Sequence, residues 1–173
     1  MNNYKRSKEL FRAGMLLALA VALPLFFHLA NLGSRVFLPM HIPIIVAGLT
    51  LNPSYAFAVG ALAPLLSSVL TGLPVLLPTA IQMLFELGIL GAVLSFTYRK
   101  QKLKAIPAFI ISLLCSRLAS ALSSYLLLNL FLDRLFSFDK FLIGAFVTAL
   151  PGLFIQLLVV SVFVKLVEKN DLL

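Results

Sequence analysis

Two charged residues stand where charge is expensive. Glu86 and Arg117 each lie near the middle of a long apolar run, far from any flanking charge. A charge at the centre of a membrane span costs roughly 2.5–3.5 kcal/mol on insertion scales. Such a residue survives where it meets a partner, a wet cavity or a ligand. Gln82 lies four residues before Glu86 and so shares its helical face. Arg117, Ser120 and Ser124 share a face further on, and Thr148, Gly152 and Gln156 share another. Counted at 1.5 Å per residue, Arg117 and Gln156 lie roughly 20 Å below the outer ends of their helices, and Glu86 about 12 Å below its own. Polar faces on three helices at overlapping depths can line one cavity. The plainer alternative is a Glu86–Arg117 ion pair that locks the bundle, and the two readings can combine.

His41 lies at the mouth of the second apolar segment, in Pro39-Met40-His41-Ile42-Pro43. A lone histidine is more often a hydrogen-bonded loop residue than a ligand contact. The chain has two histidines and one cysteine and no His-x-x-x-His pair, so no metal site is expected. No G-x-x-x-x-G-K-[ST] loop is present, so nucleotide hydrolysis by that route is excluded. No nucleophile–base constellation is found. An enzyme is not expected, nor a cofactor.

These residues need elements to hold them, and composition says what kind. The 173 residues are 61% hydrophobic and 12% charged, with a mean hydropathy of +1.07. A soluble domain of this size needs a more charged surface. At about 20 apolar residues per span there is room for five or six spans and little else. The expectation is an all-α integral membrane protein, a six-helix transmembrane bundle, with residues 1–173 forming a single domain. The spans are read as Leu10 to Ala30, a short Ile42 to Leu51, Tyr55 to Leu70, Thr79 to Tyr98, Ala105 to Leu132 and Phe141 to Val164. Pro151 is expected to kink the last. The first run follows basic residues as a signal peptide would, but it is longer than a typical signal core and is read as a retained helix.

The net charge of +8 points to topology and lipid headgroups rather than nucleic acid. Lys5, Arg6, Lys8 and Arg12 precede the first span. Arg99, Lys100, Lys102 and Lys104 share one loop, and Lys165 and Lys169 close the chain. With six helices these ten of the fourteen basic residues fall on one side, while Arg35, Arg134 and Lys140 fall on the other. Both termini are therefore expected in the cytoplasm. Cys115 lies inside an apolar run and reads as a buried, inert thiol. No internal repeat is evident, unlike in many secondary transporters.

Gly14, Ala18 and Ala22 recur at four-residue spacing in the first helix. Such a stripe allows close helix approach, which spacing alone assigns to packing inside the same bundle.

The ordered set of stretches resembles the substrate-binding S component of energy-coupling factor (ECF) vitamin transporters, over nearly the whole chain. The stretches are Leu38-Pro39-Met40-His41-Ile42-Pro43, then Ala63-Pro64-Leu65-Leu66-Ser67 with Thr71-Gly72-Leu73-Pro74 following. Met83-Leu84-Phe85-Glu86-Leu87 comes next, in a helix ending at Tyr98-Arg99-Lys100. Ser116-Arg117, Pro151-Gly152 with Gln156, and the Ala18/Ala22 motif complete the set. Ser116 departs from the glycine often found before the fifth-helix arginine. The resemblance implies a subunit of a bacterial cell membrane that captures a vitamin or related micronutrient outside and delivers it inward. Its partners would be a membrane T component and two cytoplasmic ATPases. It shifts Gly14, Ala18 and Ala22 towards a surface that docks on the T component. His41, Gln82, Glu86, Arg117, Thr148 and Gln156 are the expected substrate-binding residues, with the His41 and Gly72 loops as a lid. Arg117 suits a carboxylate, as in pantothenate, whereas Glu86 with Gln82 suits a nitrogen-rich base such as a deazaguanine or pterin. A small membrane scaffold of the MreD type, which would bind no ligand, is the alternative from another class.

Overall fold

Residues 3–30, 38–131 and 137–169 are described by the structure, a computed structural model. Arg35 and Arg134 lie outside them, as do most of the two loops that carry them. All elements among the described residues are helical. They are α1 (Asn3–Leu29), α2 (His41–Thr50), α3 (Pro53–Thr71), α4 (Ile81–Ser95), α5 (Ala105–Leu126), α6 (Phe138–Leu142) and α7 (Leu150–Lys169). Segments Phe96–Lys100, Leu127–Phe131 and Ile143–Thr148 are wound as π-helix and extend α4, α5 and α6, whereas Leu76–Ala80 leads into α4 across a kink at Leu77, whose backbone is extended (φ −118°, ψ 129°).

Four of these helical stretches are long and apolar enough to cross a membrane. A fifth arises if the last two, Phe138–Thr148 and Leu150–Leu166, count as one span bent by 49°. The bend falls beside Pro151, where a proline costs least: its missing N–H is already an orphan in the first turn of a helix. The ten-residue α2 is about 15 Å long and cannot cross squarely, so the expected count of six spans rests on how this helix is read.

α2 is the plug of the bundle. Ile44, Ile45, Ala47, Leu49 and the following Leu51 have no exposed surface. Gly48 lies against Leu94 of α4, where a Cβ would come within 2.9 Å of the leucine side chain. Its carboxyl end is tied to α4 as well, since the Ser95 hydroxyl donates to the Leu51 carbonyl at 2.6 Å.

α4 is the central helix, packed on α2, α3 and α5. Its contact with α3 runs through Gly60, Gly88 and Gly91. A Cβ on Gly60 would overlap the Leu87 carbonyl, and one on Gly88 would lie 2.9 Å from the Phe57 ring. In lipid, where the solvent is as apolar as the side chains, this close packing is a main source of helix association.

One end of the molecule is fastened by Glu9. Its carboxylate accepts two hydrogen bonds from the Asn52 side-chain amide, at 2.8 and 2.6 Å. Arg99 Nη1 stands 3.7 Å away, an ionic contact beyond hydrogen-bond reach. The start of α1, the turn before α3 and the end of α4 thus share one face, as the grouping of basic residues requires.

α1 presents Ala13, Leu16, Leu17 and Ala20 to the core. The stripe Gly14, Ala18 and Ala22 begins one residue on, roughly 100° around the helix, and faces away from that core. Nothing lies within 4 Å of the Cβ position of Gly14. Packing inside the bundle, the reading from spacing alone, is therefore corrected: this stripe faces outward. Cys115 is half-buried rather than buried.

Candidate functional site

Glu86 is the centre of the buried polar cluster. Arg117 Nη1 donates to its Oε1. The Ser120 hydroxyl donates to Oε2 at 2.7 Å, and His41 Nε2 makes a longer contact to Oε1 at 3.4 Å. Gln82 Nε2 donates to the Ser120 oxygen at 3.2 Å and so reaches Glu86 through it. Glu86, Arg117 and His41 are each more than nine-tenths buried. α4 supplies Gln82 and Glu86 from one face, α5 supplies Arg117 and Ser120 three residues apart, and the first turn of α2 supplies His41.

Helix α5 carries further buried serines, but they are satisfied within their own helix. Ser112 and Ser116 donate to the carbonyls of Phe109 and Leu113, both at 2.8 Å. Ser123 and Ser124 both donate to the Ser120 carbonyl. Back-bonding of this kind removes a hydroxyl from play. Ser116 is accommodated this way at 1% exposure. Ser120 is the exception that bonds across to another helix. Its position three residues after Arg117 is the sequence signal for it.

Gln156 is wholly buried on α7, which packs against both α2 and α5. No hydrogen bond joins it to the cluster, and both amide atoms lack a partner among the described residues. Thr148 behaves differently from Gly152 and Gln156. It is exposed, and no hydrogen bond joins it to Glu86, Arg117 or Gln156. The cause is local winding. Residues Ile143–Thr148 form a π-helix, and the bend follows at Ala149, so a four-residue face drawn at α-helical spacing does not continue through. Ala145, Ala149, Gly152 and Gln156 form the inner line instead.

Beside the cluster lies a cavity of about 370 Å³. Its walls are the end of α1 with His28, the segment Leu38–His41, Ser67 and Thr71 of α3, Leu73–Val75, and Thr79 with Met83. His41 belongs to both sites, lining the cavity and touching Glu86. The rim is held in shape. Gly72 takes the left-handed conformation (φ 74°) that closes α3. The Ser67 hydroxyl donates to the Leu73 carbonyl at 2.6 Å, and the Thr71 hydroxyl donates to the Ser67 carbonyl at 2.7 Å while accepting from the Leu73 N–H at 3.2 Å. The two loops expected as a lid therefore border this cavity. Its size falls within the range of small-molecule sites, and its walls are mostly apolar with a few polar groups, as such sites are.

The described residues thus form an all-helical, multi-pass membrane protein with a cavity at one end and a buried ion pair beside it. The chain belongs to the family of ECF transporter substrate-specific components, whose family model matches residues 8–168. No curated protein and no solved structure is detectably similar to it. Membership makes it a substrate-specific transport subunit.

Proposed function

We propose that this protein captures a vitamin or related micronutrient outside a bacterial cell and passes it inward with a membrane T component and two cytoplasmic ATPases. The observation that carries the reading is the Glu86–Arg117–Ser120 cluster, buried beside a cavity that shares His41 with it. Glu86, Arg117 and Gln156 form the inner part of the substrate site and Gln82 its side. The His41 and Gly72 loops act as a lid. Thr148 enters this site only if the bend in the last span straightens.

The whole chain works as one transmembrane domain of six crossing segments, α2 being the short one. Both termini lie in the cytoplasm. The basic face around Glu9, Asn52 and Arg99 supports this orientation. Gly14, Ala18 and Ala22 form the docking face for the T component, supported by their outward direction and by the smoothness of the stripe.

Growth rescue tests the proposal. The chain is co-expressed with a T component and both ATPases in bacterial strains auxotrophic for single vitamins, each held at limiting vitamin. Rescue of one strain, lost when an ATPase is inactivated, is the expected result. Rescue of none, with no co-purification of the subunits, would overturn the proposal.

A further inference from the structure

The cluster is unevenly satisfied, and the imbalance has a chemical sign. Glu86 is well partnered. Oε1 accepts from Arg117 and lies 3.4 Å from His41 Nε2, and Oε2 accepts from Ser120, so both oxygens of the carboxylate are already engaged. Gln82 is turned to Ser120. Arg117 is the opposite case. Its Nη1 serves Glu86, while Nε and Nη2 are buried without a partner among the described residues. Those two nitrogens share one edge of the guanidinium, the edge that takes a carboxylate with two parallel bonds. Gln156, also unpartnered, adds two amide donors and one acceptor.

What the interior lacks is therefore an acceptor. A ring that donates hydrogen bonds to Glu86 would have to compete with Arg117 and Ser120. The two buried donors on that edge of Arg117 match an anionic acceptor that takes two parallel bonds. Its charge also matters. Arg117 shares its counter-ion with His41 and Ser120, and a guanidinium left with free donors in apolar surroundings is costly.

We infer that the substrate carries a carboxylate that seats on the Nε/Nη2 edge of Arg117, beside the Gln156 amide. The rest of the molecule occupies the mostly apolar cavity, against Met40, Leu73 and Met83, on the far side of His41, which lines that cavity and contacts Glu86. This deepens the substrate-capture reading and rests on it.

The test lets the protein select its own substrate. The purified full chain in detergent is incubated with the small-molecule fraction of yeast extract, washed, and its retained compounds are identified by mass spectrometry. A parallel sample of the same extract has its carboxylates converted to methylamides. Wild type is expected to retain a carboxylic acid from the untreated extract and nothing from the amidated one. Arg117→Lys keeps a cation for Glu86 but loses the two-donor edge, so retention should fall about 10–100-fold. Gln156→Leu serves as a second variant, with a smaller loss. The two wild-type arms decide the question even if Arg117→Lys does not fold. Retention of one neutral or basic compound from both extracts would overturn the carboxylate and leave substrate capture standing. Undiminished retention of an acid by a folded Arg117→Lys would also overturn it. Retention of nothing from either extract would remove the capture reading, and this inference with it.

Discussion

Gly91 of α4 lies under the main chain of Ala56, so that a Cβ there would stand 2.6 Å from the Ala56 carbonyl oxygen. Together with Gly60 and Gly88 it lets α3 and α4 cross almost backbone to backbone. Glu86 is one residue from this crossing, since Leu87 carries the carbonyl that Gly60 meets. The seam that holds the bundle also fixes the height and direction of the buried carboxylate.

Gly60→Ala should accordingly destabilise the fold, by about 1–3 kcal/mol as overpacking does. Gly14→Ala, where the added carbon meets nothing, should leave stability unchanged. Thermal unfolding of both variants in the same detergent checks the pair. Equal unfolding temperatures would show that the seam is not tight.

The buried pair gives a second expectation. Glu86→Gln and Arg117→Met should each destabilise, because removing one partner of a buried pair strands the other at a cost of about 3–5 kcal/mol. The double variant should regain folding stability but bind no substrate. If isothermal titration, once the ligand is known, gives wild-type affinity for the refolded double variant, the pair is a structural lock and nothing more.

Substitution on the outward stripe should separate folding from assembly. Ala18→Trp with Ala22→Trp leaves the core untouched, since neither position belongs to it. Unfolding temperature and ligand retention should stay at wild-type values while co-purification with the T component is lost. Normal uptake by this variant would remove the docking assignment.

Orientation can be read chemically. In a Cys115→Ser background, Gln101→Cys places a thiol in the exposed basic loop after α4. A membrane-impermeant maleimide should label it in lysed cells and spare it in intact ones. Labelling of intact cells would invert the topology.

Much of this architecture is legible from residue order alone. Long apolar runs broken by charge mark α1, α3, α4 and α5, and the grouping of Lys5–Arg12 with Arg99–Lys104 anticipates the face that Glu9 fastens. Glu86 and Arg117 can be paired because lone charges in apolar runs need partners. Other features depend on tertiary detail. Thr148 leaves the inner line because a face drawn at 3.6 residues per turn does not survive the π-winding of Ile143–Thr148, which no composition signal announces. The outward turn of Gly14, Ala18 and Ala22 cannot be read from spacing, since Ala13 and Ala20 put small residues on the inner face as well. Gly60, Gly88 and Gly91 carry no mark of their role, because a glycine in a membrane helix is common and only the facing helix shows which one is required.

The burial of α2 has a consequence for traffic through the molecule. Beneath His41 stand Ile44, Ile45, Leu49 and Leu51, with no exposed surface among them, and the α3–α4 seam closes that side. Among the described residues, α2 and that seam floor the cavity with close-packed hydrocarbon. On the function proposed above, a substrate taken in at the rim would be handed on by carrying the rim across, not by passing through the floor.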